Sequence, residues 1–188
     1  MSKTCYKASR TLLRDFGEVE QLQASRRGPK DFVKTANAAS HRKISEELIH
    51  ARPDYGLEFK GSKVFKGRDP KNRKWVVDSL NGTTNFLHGI PHFAICIALQ
   101  SKKEIVSGLI FDPIKDEMFF AEKNKGAFLN NQRLRVSNKN FIDDCLFSSN
   151  QEGAGFSDLN VRCSGCAALD LAYVASGRLD GFFHNKIN

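Results

Sequence analysis

Nothing in the 188-residue sequence is long and apolar enough to approach a membrane span. The first residues, MSKTCYKASR, lack the apolar core of a secretory signal, so no segment directs the chain out of the cytoplasm, which is the compartment expected. Cysteine is sparse and odd in number, five residues scattered from end to end, which argues against a disulfide framework and for reduced thiols. The pair Cys163-x-x-Cys166 has no second pair and no βαβ context, so neither zinc nor redox chemistry is assigned to it. His88 and His92 are four apart, but the glycine and proline between them break any helix that would present both to one metal. The formal charge is +8, yet the Lys and Arg residues form no dense block, and no aromatic residues interleave with them in a nucleic-acid reader pattern. A solvated basic face is the plainer meaning, and neither membrane nor nucleic acid is expected as a partner.

Against these absences one stretch carries information. Trp75 to Phe86 reads WVVDSLNGTTNF. An apolar run with the look of a buried strand delivers Asp78 to a turn, and Asn81-Gly82 breaks the chain before Thr83 and Thr84 can cap the next element. A carboxylate at a strand end can hold a divalent cation, and a Gly-Thr-Thr turn offers N–H groups and hydroxyls to an anion. Strand, Asp, turn and Gly also occur together in ordinary surface loops, so both readings stand on spacing alone.

The rest of the chain reads in order. Leu12, Leu13, Phe16, Val19 and Leu22 recur at helical spacing, predicting an amphipathic helix from Ser2 to about Gln23, broken or strained near Gly17. Ile44 to about Ala51 reads as a short helix ended by Pro53. YGLEFKGSKVFKGRDPKNRK is polar and glycine-rich, with no alternation that would hold a strand. From His92 to Leu129 the alternation of HFAICIAL, IVSGLIFD, DEMFFAE and GAFLN predicts hairpins in one antiparallel sheet, with Asp112 and Asp116 as turn formers. A short Gly-rich link is expected between Ser149 and Arg162, then a helix from Ala167 to Ser176 whose Asp170 faces solvent.

WVVDSLNGTTNFLHGIPHFAICIAL resembles the inositol monophosphatase family signature, W-[IV]-[IV]-D-P-[IL]-D-G-T-T-N-F followed by a G-x-P strand. GLIFDPIKDEMFFAEKNKGAFLNNQRLRVS resembles the family's next hairpins, and GCAALDLAYVASGRLDGFF its G-S-A-A helix and following strand. The resemblance implies an α+β fold, a layered αβαβα sandwich of the inositol monophosphatase and sugar phosphatase type. It would be one domain over 1–188, incomplete at the C-terminus, because the family runs on into W-D-x-A-A-G, whose aspartate binds metal.

The resemblance also implies a site. Asp78 is its carboxylate shared between metals, Leu80 a carbonyl ligand, and Gly82 and Thr83 contact phosphate, with Thr83 orienting the attacking water. Asn81 stands at a ligand position that is acidic in the family, Asn37 and His41 where acidic residues normally support the second metal region, and Ser79 where proline is usual. His184 stands at the family's substrate-contacting glutamate. The metal-binding, water-activating glutamate falls on Lys60 when counted without gaps from Trp75, and on Glu58 if the loop slips by two residues. A lysine there would repel a cation by about 4 kcal/mol per unit charge pair at about 4 Å and an effective dielectric near 20. The implied activity is Mg2+-dependent hydrolysis of a small phosphorylated polyol or sugar, impaired by these departures, with Mg2+ weakly held and the family's homodimer as the assembly. The alternative is a non-catalytic remnant that at most binds phosphate or a protein partner.

Overall fold

The computed structural model describes residues 1–22, 28–62, 65–150 and 158–184. Two helices come first, α1 (Ser2–Leu22) and α2 (Gly28–Ala51). Cys5, Ala8, Leu12, Phe16 and Val19 are buried at steps of three and four, which is why this segment folds as a helix with one apolar face. The break expected near Gly17 does not occur: a Cβ at Gly17 would meet nothing within 4 Å, so the glycine sits on the open side and the ladder passes through it. The end expected at Gln23 lies outside the described residues. In α2 the buried positions Val33, Ala36, Ser40, Ile44 and Leu48 keep helical spacing, so the short helix expected at Ile44 to Ala51 is the last third of a 24-residue helix. It stops at Ala51, where Pro53 disfavours further helix.

Seven strands come next in one sheet, ordered as in the chain: β1 (Gly56–Phe59), β2 (Lys74–Asn81), β3 (Ala94–Ser101), β4 (Glu104–Asp112), β5 (Glu117–Glu122), β6 (Gly126–Leu129) and β7 (Gln132–Arg133). β3 to β6 are the expected antiparallel hairpins, and β7 adds a short antiparallel edge beyond them. β1 replaces an expected loop; it is a strand because it pairs parallel with β2, Gly56 to Lys74 through Phe59 to Val77, and buries Leu57 and Phe59. Four residues between glycines carry too little alternation to announce this, and the long-range partner supplies the ladder. Between β1 and β2, Asp69 accepts from the backbone N–H groups of Lys71 and Arg73 and from the Arg73 guanidinium, closing the turn.

One sheet face packs on α1 and α2. Ile95, Ile97, Leu109, Phe111, Val77 and Met118 meet the helices there, with Phe86 and Phe93 filling the end of the layer beside Phe16. Burying each such side chain is worth about 1.5–3 kcal/mol, so this layer dominates the stability. α3 (Thr83–Leu87) is a single turn after β2. The other sheet face carries α4 (Ala167–Ala175), whose Cys166, Leu169 and Ala172 side meets Phe119, Cys96 and Ile110. Beyond α4 lies a second, parallel sheet ordered β10 (Gly181–Phe183), β8 (Leu146–Ser149), β9 (Asn160–Arg162). The described residues thus stack as helix pair, sheet, helix, sheet, an α+β layered sandwich. Of the link expected between Ser149 and Arg162, residues 151–157 lie outside the described residues, and its end is strand β9.

The Arg73 hydrogen bond holds the Asp69 carboxyl at about 2, below its ordinary value of 3.8. A depressed carboxyl contributes stability that is complete above the unfolded value and lost as pH falls through the folded one. Asp69→Asn is therefore expected to lower the urea midpoint at pH 6 and to flatten its decline between about pH 4 and about pH 2, read by circular dichroism.

Candidate active site

The site forms where β2 stops being regular. Its pairing with β3 runs Asp78 to Cys96 and then jumps to Asn81 and Ala94, so an extra residue bulges out between them. The bulge is held from the helix layer: the Ser40 hydroxyl donates to the Ser79 carbonyl at 3.2 Å, and the Ser79 hydroxyl donates to Asn37 Oδ1 at 2.8 Å. Asn37 therefore serves as a neutral strut for Ser79, the residue that stands where the family has proline. After the bulge Gly82 adopts φ 90°, and a Cβ there would lie 2.9 Å from the His92 carbonyl oxygen, so the turn needs glycine on both grounds.

Asp78, Lys60, Asn81, Thr83, Gly82 and His41 line a pocket of about 360 Å³ between α2 and the bulge. Asp78 Oδ2 accepts from Asn81 Nδ2 at 3.0 Å, and its Oδ1 from the Leu80 N–H at 3.3 Å. Lys60 Nζ stands 3.9 Å from Oδ2. The Thr83 hydroxyl donates to the Leu80 carbonyl at 3.2 Å. His41 packs on the Phe59 ring, and burial lowers its pKa, keeping it neutral at the pocket wall. The orientation of the Asn81 amide is set at its other end: the Ala168 backbone N–H donates to Oδ1 at 3.2 Å and the Cys166 thiol to the same atom at 3.3 Å. The oxygen is committed to the start of α4, so the amide nitrogen must face Asp78.

Of the residues singled out from sequence, Asp78, Leu80, Asn81, Gly82 and Thr83 come together in this pocket. Glu58 does not join them. The parallel register fixes it beside Val76, and its carboxylate pairs with Lys74. The two-residue slip that would bring it forward is blocked because the β1 ladder continues unbroken, with the Lys60 N–H donating to the Val77 carbonyl at 3.0 Å. Lys60 takes the place beside Asp78. Glu58 and His184 instead line a larger cleft of about 870 Å³ on the α4 side of the sheet. Its floor is the cross-strand row Val76, Ala98, Gly108, Ala121 and Ala127, and Asp78, Lys60 and Asn81 form the divide between it and the polar pocket.

Asp170, expected to face solvent, is 3% exposed. Burial raises its pKa, while hydrogen bonds with Ser164 and Ser148 oppose that rise and tie α4 to the second sheet. Asn85 is a structural residue that sequence reasoning misses. Its buried Nδ2 donates to the carbonyls of His92 at 2.8 Å and Ser164 at 2.9 Å, joining the turn after β2 to the approach to α4. Gly165 at φ 79° lets the chain pass, since a Cβ there would fall 2.7 Å from Asn85 Oδ1. The paired signal is present as an Asn inside TTNF and a Gly before the small-residue helix, but nothing local joins them. Asp112 is the expected turn former, accepting from the N–H groups of Ile114 and Lys115.

A divalent cation fits these donors poorly. The pocket offers one carboxylate whose two oxygens already accept hydrogen bonds, a Leu80 carbonyl engaged by Thr83, an asparagine presenting N–H, and an ammonium 3.9 Å from the carboxylate. Among the described residues no three His, Cys, Asp or Glu side chains gather as a metal set. What the pocket does gather is N–H and O–H donors around a single carboxylate.

The sequence matches the Inositol monophosphatase family over residues 2–188. It is 43% identical over 202 residues to the inositol-1-monophosphatase of Rhizobium meliloti (strain 1021), covering 100% of this chain and 76% of that protein. It is 33% identical over 192 residues to the Nus factor SuhB of Escherichia coli (strain K12), covering 94% of this chain and 72% of that one. The crystal structure of extragenic suppressor protein suhB from Bartonella henselae superposes with a TM-score of 0.87 at 43% identity, over 100% of this chain and 78% of that chain. The chain belongs to the inositol monophosphatase family, whose members are phosphatases that generally depend on magnesium. Among the described residues no helix is long and apolar enough to cross a membrane.

Because the buried Asn85 amide is the shared hydrogen-bond donor of two carbonyls, Asn85→Ala is expected to cost about 1–3 kcal/mol in urea unfolding. Asn85→Asp, which keeps the size and loses the donor, should cost at least as much.

Proposed function

We propose that this chain carries the family's phosphomonoester site in a weakened form. Its ligand is a small phosphorylated polyol or sugar, held at Gly82 and Thr83, with Thr83 also the residue that would orient a water. Metal is at most one weakly held Mg2+ at Asp78 and the Leu80 carbonyl, with Asn81 and Glu58 failing to add the charge a tight site needs, and turnover is low. A cytoplasmic setting, a single domain over 1–188, and a homodimer as the assembly belong to the same proposal. The observation that carries it is the direction of Asn81: its amide nitrogen, not an oxygen, faces Asp78. One unit of negative charge is thereby absent from a place where a hard dication would need it.

A second reading is favoured by Lys60, which stands beside Asp78 as a cation already in place. On that reading the chain is a non-catalytic remnant that binds phosphate or a protein partner, and relatives carrying the name Nus factor give it some support.

Calorimetric titration with magnesium, alongside magnesium-dependent phosphate release from inositol monophosphate, separates the two. The unmodified chain is expected to bind at most one Mg2+, too weakly to saturate at cellular levels, and to release phosphate slowly. In Asn81→Asp the Ala168 N–H still holds one oxygen while the other faces Asp78, and Mg2+ affinity should rise by about tenfold or more. No release by either protein supports the remnant reading. Two tight sites in the unmodified chain would overturn both.

A further inference from the structure

The disagreement between the donor set and a dication is resolved by one residue. β1 and β2 run parallel in unbroken register to Phe59 and Val77, and the next backbone bond, from the Lys60 N–H to the Val77 carbonyl, carries Lys60 level with Asp78 on the same sheet face. Its stem is therefore fixed while its end is free to move: the Lys60 side chain is 59% exposed and its ammonium stands 3.9 Å from Asp78 Oδ2. Asn81 Nδ2 reaches the same oxygen, and Thr83 supplies a hydroxyl across the pocket. The charge presented at the pocket mouth is an ammonium on a flexible four-carbon arm, a strongly hydrated point charge suited to an oxyanion. A dication entering would have to displace Lys60 and turn the Asn81 amide, which the Ala168 N–H holds in place.

We propose that Lys60 is a built-in cation that takes the place of a metal ion beside Asp78, so that the polar pocket binds a phosphate monoester without metal. This rests on the reading of the pocket as a phosphomonoester site. The recognised chemistry is a terminal phosphate bearing two negative charges, received by the Lys60 ammonium with the Thr83 hydroxyl and the Asn81 amide beside it. Asp78 acts there as the anchor that keeps the ammonium over the pocket when no anion is present. The site is then neutral at rest, and a bound monoester draws Lys60 inward from Asp78. No bond is made or broken in this step.

The test is titration of the full chain with inorganic phosphate and with inositol monophosphate, monitored by calorimetry and 31P NMR, in excess chelator and again in millimolar magnesium. The expected result is phosphate binding in chelator that weakens with salt and changes by less than about twofold when magnesium is added. Lys60→Ala should weaken it by about tenfold, the loss of one charged hydrogen bond, at an unchanged melting temperature because the side chain is exposed. Lys74→Ala, which removes an equal charge paired with Glu58 outside the polar pocket, should leave binding within about twofold. Lys60→Glu should abolish phosphate binding in chelator and gain magnesium binding. Binding that requires magnesium in the unmodified chain, or that is indifferent to Lys60→Ala, would overturn the proposal while leaving the phosphomonoester site in place. Absence of phosphate binding in every variant, with and without magnesium, would overturn the site itself and this proposal with it.

Discussion

The connection between the two halves of this protein rests on two asparagine side chains, the half-buried Asn81 at the end of β2 and the buried Asn85 in the turn after it. Asn81 accepts from the first turn of α4, and Asn85 donates to the carbonyls of His92 and Ser164 on either side of the same junction. Each is an amide with a donor and an acceptor; the buried Asn85 must have partners or cost the fold free energy, and Asn81 commits its oxygen to α4. That requirement positions α4, and α4 positions the second sheet through Asp170 and its serines. A carboxylate at position 81 could accept the Ala168 N–H, but it would bring a second negative charge against Asp78 and would need a cation between them. The asparagine makes the same architectural contact without that need. Structure and metal binding are thus separable at this position, and the structural half is what the sequence has kept.

The legible parts of the fold are those with a local rule. Strict alternation identifies β3 to β6, and steps of three and four identify α1. What escapes has its cause elsewhere in the chain. β1 is a strand through its partner, so a glycine-flanked Leu57-Glu58-Phe59 shows no sign of it. Gly17 misleads because propensity counts a glycine without knowing which face it occupies, and here the face is open. Asp170 reads as a solvated residue because its hydrogen-bonding serines lie on segments separated from it in the chain, Ser148 by a strand and a link.

The candidate site divides in the same way. The motif around Asp78 places Leu80, Asn81, Gly82 and Thr83 within one turn, so their gathering is implied by sequence spacing once the turn forms. Glu58 and Lys60 come from a different strand, and only the register of that strand decides which of them reaches Asp78. Register is an all-or-none property: a strand cannot slip by a fraction, and a slip of two would break every hydrogen bond from Gly56 to Phe59. The register brings Lys60, and not Glu58, level with Asp78.

One feature of the same turn bears on how the protein ages. Asparagine before glycine is the dipeptide most open to spontaneous loss of its side-chain amide, since an unhindered glycine nitrogen can attack the amide carbon and close a five-membered ring. Ring closure needs the side chain to swing toward the Gly82 nitrogen. In Asn81 both ends of the amide are tethered, the oxygen to Ala168 and the nitrogen to Asp78, and Gly82 is locked against the His92 backbone. The folded protein therefore shields its most labile bond, and succinimide formation becomes a record of how often this turn opens. Chains that have spent time unfolded are expected to carry more aspartate or isoaspartate at position 81 than chains that have stayed folded.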